Sequence, residues 1–380
     1  MDTITDVNTL AGSVAVTHAH LNAAVTKIAR LLKGYLTPTI TVSSCNGRVS
    51  LETSTVETRV SIQVLAESGT NFSETCVPLK AFSSALKSCD KRTPVELQQM
   101  DAGITIVSGS STFAMPFANP DLYGPKLPMM DTGVIIMDGP AGPFRDVVAN
   151  SITHAGTDHT RPMLSQIKLI NTGEQNYAGA TDSYRLCQLV LGEMIKFGTS
   201  VEIPARELRL ATQRLGDAES LIISNHPGNI VRVKSDMETW AIKCDRGQYP
   251  NFAQFIPDEN TFIAAITVDR KQLMNAALNA SRIGGPRSNA PLRYKIGDRE
   301  LKLTLISPDE ATFCEVIPCE THEKVSDDLR TAGIDAGFLH DALKILKEDQ
   351  VTINYISPYK PMLLTSGDDR VLIMPIILNS

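Results

Sequence analysis

Seven cysteines, seven histidines and a few carboxylate pairs are the side chains of this 380-residue sequence with the chemistry to hold a metal or attack a substrate. Cys45, Cys76, Cys89, Cys187, Cys244, Cys314 and Cys319 are scattered, odd in number and never spaced as CxxC. A disulfide framework or structural zinc site is not expected from them, and they read as reduced thiols behaving as small apolar residues. His18 and His20 stand two apart and His154 and His159 five apart, with no nearby cysteine and no HExxH pattern, so they read as ordinary surface or helix histidines. Asp327-Asp328 and Asp368-Asp369 are adjacent in sequence, and adjacent side chains diverge on a helix or a strand, which rules them out as general acid/base pairs. There is no GxSxG elbow, no Walker GxxxxGK[ST] and no GxGxxG after a strand. The most phosphate-like stretch, Ile283-Gly284-Gly285-Pro286-Arg287-Ser288-Asn289, lacks the Lys-Ser/Thr pair of a P-loop and reads as a flexible loop. Nothing in this set supplies an enzyme, a cofactor or a metal site, and an enzyme assembled from scattered residues is left as the outlying alternative.

The elements that would position any site come next. With 42% hydrophobic and 21% charged residues the chain is of the soluble globular class, and its length allows two or three domains. No apolar run reaches the roughly 18 residues of a spanning helix, and the amino terminus lacks the pattern of a signal peptide, so a cytoplasmic protein is expected. The formal charge of −6, from 36 basic and 42 acidic side chains, argues at first sight against nucleic acid as a partner.

An internal repeat organises the chain. Val77-Pro78-Leu79-Lys80-Ala81-Phe82-Ser83-Ser84-Ala85-Leu86-Lys87 aligns with segments beginning at Ile203 and Ile334, at intervals of 126 and 131 residues. Each segment carries an apolar residue at the sixth place (Phe82, Leu208, Leu339) and alanine at the ninth (Ala85, Ala211, Ala342). At 100° per residue these gather on one helix face with Leu86, Leu215, Leu343 and Leu346, while Lys80, Lys87, Arg206, Gln213, Gly337 and Lys344 lie opposite. The helix is expected to bury one face and present a mildly basic one. Strand-like runs follow at Val95–Gln98, Ile104–Val107 and Val351–Tyr355, and the repeats close on Thr112–Pro116, Thr239–Lys243 and Leu372–Ile376. A second helix is expected to open the first repeat over Asp6, Leu10 and Val14 and the last over Asp269, Leu273 and Ala277, with Asp as N-cap. The matching stretch of the middle repeat lies near Phe144, Val148 and Ile152. Joints at 119–125 and 257–260 divide the chain into three copies of one α+β domain, 1–129, 130–259 and 260–380.

Three stretches then carry a resemblance: Ala180-Thr181-Asp182-Ser183-Tyr184-Arg185-Leu186, Tyr249-Pro250-Asn251-Phe252-Ala253-Gln254-Phe255-Ile256-Pro257, and Val371-Leu372-Ile373-Met374-Pro375-Ile376. In this order, inside a threefold repeat, they resemble the bacterial beta sliding clamp family, the DNA polymerase III beta subunits. The resemblance implies three clamp domains per chain and a head-to-tail homodimer closing a six-domain ring, with helices lining the hole and antiparallel sheets outside. It implies a non-catalytic processivity factor of DNA replication. Such a ring encircles duplex DNA without reading its sequence and tethers the replicative polymerase, the clamp loader and other DNA-processing enzymes through short apolar peptides. A domain of this size has an equivalent diameter of about 36 Å, so three in contact leave a gap of about 6 Å and six leave about 36 Å. One chain cannot encircle a duplex, and two can.

By the resemblance, the DNA-facing residues are Lys80, Lys87, Arg206, Arg209 and Lys344, with Lys27 and Arg30 near the amino terminus and Arg161 in a loop beside His159. Pro162 and Met163 stand where some relatives place DNA-stacking aromatics. The positions matching the family's peptide cleft are Leu164, Thr181, Tyr184, Arg185, Leu186, Pro250, Phe255, Tyr359, Pro361, Ile373, Met374, Pro375 and Ile376, with Thr181 and Arg185 as polar anchors. The dimer seam is expected at Phe113 and Met115 on one side and Arg282 and Ile283 on the other. Gln254 stands where relatives often carry a basic residue, and Ile377 replaces a common terminal arginine. A specialised clamp with a restricted partner set is therefore an alternative. A closed ring is retained by topology and needs only a local basic lining, so the charge of −6 is compatible with DNA after all.

Overall fold

The structure, a computed structural model, describes residues 10–119, 126–129, 132–171, 175–192, 200–213, 215–216, 219–284, 290–297, 299–307, 309–322 and 331–378. The first third runs β1 (Leu10–Val16), α1 (His18–Leu31), β2 (Thr39–Cys45), β3 (Arg48–Ser54), β4 (Thr58–Gly69), β5 (Phe72–Pro78), α2 (Leu79–Ser88), β6 (Val95–Met100), β7 (Gly103–Ser108) and β8 (Ser111–Pro116). The middle third runs β9 (Val134–Pro140), α3 (Ala141–Ser151), β10 (Gln166–Asn171), β11 (Asn176–Thr181), β12 (Arg185–Val190), β13 (Val201–Pro204), α4 (Ala205–Thr212), β14 (Ser220–His226), β15 (Ile230–Ser235) and β16 (Glu238–Lys243). The last third runs β17 (Ala264–Asp269), α5 (Arg270–Gly284), β18 (Leu292–Ile296), β19 (Glu300–Ile306), β20 (Thr312–Thr321), β21 (Ala332–Ile334), α6 (Ala336–Ile345), β22 (Gln350–Tyr355), β23 (Met362–Ser366) and β24 (Asp369–Ile373). One order of elements, strand, helix, four strands, helix, three strands, therefore occurs three times.

The chain gathers into two compact units, one of residues 1–142 with 210–245 and one of 143–209 with 246–380. The first holds an antiparallel sheet ordered β8-β7-β6-β1-β4-β16-β15-β14-β9, with β2, β3 and β5 branching from β4. The second holds a sheet ordered β13-β10-β11-β12-β24-β23-β22-β17-β20-β19-β18-β21. The middle third thus gives strands to both sheets, and the repeat unit in sequence is not the compact unit in space. Both sheets are made continuous by the same event. The last strand of one repeat adds to the fourth strand of the repeat before it, β16 to β4 in the first unit and β24 to β12 in the second.

The repeated helices α2, α4 and α6 bury the expected faces: Phe82, Leu86, Leu208, Ala211, Leu339, Ala342 and Leu343 are all buried. Their period of 3.6 brings these residues to one side, and in the first third α2 packs on β2, β5 and β8 while α1 packs on β3, whose Val49 and Leu51 are buried between exposed or half-buried neighbours. Lys80, Lys87, Arg206, Arg209 and Lys344 project from the other side into solvent.

Two expectations about elements are corrected. No helix holds Leu10 and Val14; they belong to β1, and Asp6 lies outside the described residues. The i, i+4 spacing fits too few positions to exclude a strand, and Val14 and Val16 alternate inward. In the last repeat the expectation stands, since Asp269 accepts the backbone N–H of Gln272 at 2.7 Å just before α5. The closing strand ends at Ile373 rather than Ile376. Pro375 has no N–H to continue a ladder, and the flanking amides bond elsewhere, Met374 N–H to Tyr184 O at 2.8 Å and Ile376 N–H to Gly333 O at 2.7 Å. Residues 120–125, 285–289 and Asp327-Asp328 lie outside the described residues.

The histidines are not all peripheral. His18 is buried with its Nε2 2.9 Å from Leu86 O, and His154 is fully buried. The cysteines are free thiols, with Cys76, Cys89 and Cys187 buried, and Cys45 and Cys314 exposed.

Candidate peptide cleft and basic surface

The hairpin between β11 and β12 builds one wall of a cleft in the second unit. Asp182 Oδ1 accepts the backbone N–H groups of Tyr184 and Arg185, both at 2.9 Å, closing an Asx turn. Thr181 Oγ1 donates to Arg185 O at 2.8 Å and accepts from Ser183 N–H at 3.2 Å. The turn forces Ser183 to φ +79°, the left-handed region, at a cost of about 1 kcal/mol for a residue with a Cβ.

Arg185 is the centre of this wall. Its Nε donates to Asp182 at 3.0 Å, Nη1 to Asp341 at 2.7 Å and Nη2 to Thr153 O at 2.7 Å, and its guanidinium stacks 4.4 Å from the Phe338 ring centroid. Thr181 and Arg185, expected as polar anchors of the cleft, are also engaged within the wall, and Arg185 ties it to α6 and to the turn at 152–154. Beneath the wall the His154 imidazole is held neutral, its pKa pushed down to about 3 by burial and then by the Arg185 charge, against a smaller opposing pull from Asp341. Burial pushes the Cys187 thiol up to about 12, so it stays protonated.

The opposite wall is the connector after β16. Tyr249 donates its hydroxyl to Gln166 O at 3.1 Å and accepts from Thr181 N–H at 3.2 Å, and burial raises its pKa. Phe252 packs edge-on against Tyr249, 5.6 Å between centroids, in a cluster with Leu186, Leu363 and Leu372. Gly179 is the seat for that ring. A Cβ there would stand 2.0 Å from Phe252 Cε2, a contact no real side chain makes. Stitched to the sheet at Tyr249 and Phe252, the connector presents Pro250 and Phe255 to the cleft.

Leu164, Thr181, Arg185, Leu186, Pro250, Phe255 and Met374 line a cavity of about 140 Å³, so seven of the expected cleft residues come together. Sequence reasoning missed Ser183 and Leu372. Strand alternation would have found Leu372, since it shares a parity with Met374, and the same alternation takes Ile373 away. Ile373 is fully buried in the sheet and is corrected to a core residue. Tyr184 is 58% exposed and faces Phe338 at 6.5 Å. Tyr184, Tyr359, Pro361, Pro375 and Ile376 stand outside the lining of the cavity.

Among the basic residues, Lys27 is corrected. It is buried, with Nζ 2.5 Å from Glu238, 3.4 Å from Ala211 O and 3.2 Å from Gln213 O, and 5.6 Å from the Trp240 ring. There it neutralises Glu238 and caps the carboxyl end of α4, where a cation is favoured, and it does not face a ligand. Arg30 is exposed and donates to Gln213 at 3.3 Å, and Arg161 pairs with Asp158 at 3.1 Å while donating to Ser183 at 2.9 Å. At the expected seam the side chain of Met115 is buried in its own unit at 4% exposure, Phe113 is half-buried, and Arg282 and Ile283 are exposed.

Residues 253–377 match the family model of the DNA polymerase III beta subunit, C-terminal domain. That last third of the chain is thus similar to the beta sliding clamps. It is 26% identical to the beta sliding clamp of Staphylococcus aureus over 275 residues, 71% of each chain, and 25% identical to that of Synechococcus elongatus over 315 residues, 80% of this chain and 81% of the other. The solved DNA polymerase sliding clamp of Bacillus subtilis superposes with a TM-score of 0.85 at 18% identity, covering 97% of this chain and all of that one. The DNA polymerase III beta subunit of Pseudomonas aeruginosa superposes with a TM-score of 0.84 at 17% identity, covering 96% of this chain and 100% of that one. The left-handed backbone at Ser183 is one that glycine would adopt without strain.

Proposed function

We propose that the chain works as a DNA sliding clamp, three domains per copy (1–129, 130–259 and 260–380), two copies closing head to tail around duplex DNA. The observation that carries this reading is an unfinished repetition. Within the chain, β16 adds to β4 and β24 adds to β12, each closing strand meeting the same half of a fourth strand. In the last repeat β20 has β19 along Thr312–Pro318, but its other side is paired, among the described residues, only at Cys319–Thr321 by β17. In the first repeat β8 is an edge strand, paired among the described residues only to β7.

The missing third addition is β8 of one copy on β20 of another. Ile242 stands opposite Thr58 and Ile373 opposite Arg185, so the same register sets the backbone of Met115 opposite Ala311 of the partner subunit and Phe113 opposite Phe313 of the partner subunit. A head-to-tail contact that closes after two copies leaves no free end to propagate. The buried side chain of Met115 does not matter to this contact, because the ladder is made by main chain.

Lys80, Lys87, Arg30, Arg206, Arg209 and Lys344 then supply weak, sequence-independent and salt-dependent phosphate contacts, and retention comes from closure. The cleft of Leu164, Leu186, Pro250, Phe255 and Met374 takes a short apolar peptide from the polymerase or the clamp loader. Phe255 and Met374, 48% and 41% exposed, are the groups with most area left to bury. Gln254 and Ile377 favour a restricted set of such peptides.

Loading onto a closed circular DNA by the cognate loader, followed by linearisation, tests the ring. The protein should remain on the circle and leave the cut molecule. Equal retention on both would sink the reading. Titration of the polymerase's clamp-binding peptide tests the partner set, and absence of binding with the cleft intact would favour the specialised clamp.

A further inference from the structure

The connector 250–257 lines two cavities with different residues. Pro250 and Phe255 belong to the cleft described above, whereas Phe252, Ala253 and Ile256 border a second and larger cavity of about 640 Å³. Its remaining walls come from the sheet, through Lys168, Ile170, Gln188 and Arg370, and from the turn that carries Asp258 and Glu259.

One corner of this cavity is rich in unanswered donors. Gln188 on β12 and Arg370 on β24 are direct cross-strand partners. Gln188 is only 7% exposed, yet neither its amide nor the Arg370 guanidinium has a side-chain hydrogen bond or ion pair among the described residues. Lys168, by contrast, is neutralised by Glu202 at 3.0 Å. A half-buried guanidinium with five donors beside a buried carboxamide is built to receive a carboxylate, which accepts two parallel hydrogen bonds from such a fork. Next to that corner Ile170, Phe252 and Ile256 form an apolar floor. At the other end Asp258 and Glu259 would repel a polyanion, so a nucleic-acid backbone is disfavoured where one carboxylate is not.

We propose that this cavity is a second docking site, for a partner peptide segment that places an acidic side chain on Arg370 and Gln188 and an adjacent apolar side chain on Ile170, Phe252 and Ile256. That the occupant is a peptide rests on the reading of the neighbouring cleft, with which this cavity shares its connector; the carboxylate specificity rests on the donors alone.

The test uses the full chain with labelled isoleucine, leucine and methionine methyl groups and N-acetyl-leucine as the probe, which carries one carboxylate and one apolar side chain. Saturable shifts should appear at Ile170 and Ile256 with a dissociation constant on the order of millimolar, the range open to a fragment of this size. N-acetyl-leucinamide, which lacks the charge, should bind at least about ten-fold more weakly, as should N-acetyl-leucine to Arg370→Met. The pair of probes on the unaltered chain decides the matter even where the variant is poorly folded. Equal binding of the amide, no saturable shift at these two residues, or inorganic phosphate binding as tightly as N-acetyl-leucine would each overturn the proposal. Methyl shifts at Leu164, Leu186 and Met374 report the cleft separately, so failure of one site is distinguishable from failure of the other.

Discussion

The hairpin turn between the third and fourth strands of the repeat occurs in both units, with opposite contents. In the first unit Thr55 closes it alone, its Oγ1 accepting from Glu57 N–H at 3.3 Å and Thr58 N–H at 2.9 Å and donating to Thr58 O at 3.2 Å. In the second unit Asp182 takes over the backbone work and also holds Arg185, which stands where the first unit has Thr58 and reaches on to Asp341 and Thr153. A turn closed by one hydroxyl suffices where the sheet only has to turn. A charged clamp, with strain at Ser183 and a buried neutral histidine beneath, stands where a cleft must be held open. The scaffold is shared, and the site is an elaboration of one of its turns.

Four measurements would break or sharpen this contrast. Arg185→Ala should cost about 3 kcal/mol in urea unfolding, because it removes the cation from half-buried Asp182 and from Asp341 together with its stacking on Phe338, while Thr55→Ala should cost about 1 kcal/mol. Equal losses would remove the distinction between the turns. Acid should act on the second turn next. A histidine near 6.5 when unfolded and about 3 when folded keeps its full contribution above pH 6.5 and loses it as pH falls towards 3, because the unfolded chain takes up the proton first. About 2 kcal/mol should be gone by pH 5, and His154→Gln should flatten that slope. Gly179→Ala should displace Phe252 and weaken binding of a cleft peptide about ten-fold, by calorimetry, with DNA retention unchanged. Smallest, Ser183→Gly should raise stability by about 0.5–1 kcal/mol by relieving the left-handed serine, with no matching gain from glycine at Val56 in the first turn.

Much of this was legible in the sequence where a signal is local. The inward faces of α2, α4 and α6 follow from one helical period, and the residues of the two cleft walls sit in two short stretches. What escaped depends on distant partners. Nothing near Lys27 announces that Glu238, 211 residues on, will neutralise it. Nor does the sequence near Arg185 show that Thr153 and Asp341 will engage it alongside Asp182. Leu10–Val16 carries the apolar spacing of either a helix or a strand, and only pairing with β4 and β6 decides between them. The division into three repeats is written in the chain, whereas the division into two compact units is written in the strand additions β16 to β4 and β24 to β12.

The ring of Phe252 lying where a Cβ of residue 179 would stand also constrains how this protein changes over generations. The order in which the two positions change matters. A smaller residue at 252 makes room for a side chain at 179, whereas alanine at 179 with phenylalanine still at 252 drives the ring from its seat. Phenylalanine at 252 and glycine at 179 therefore work as one unit, and a change at either loosens the connector from the sheet.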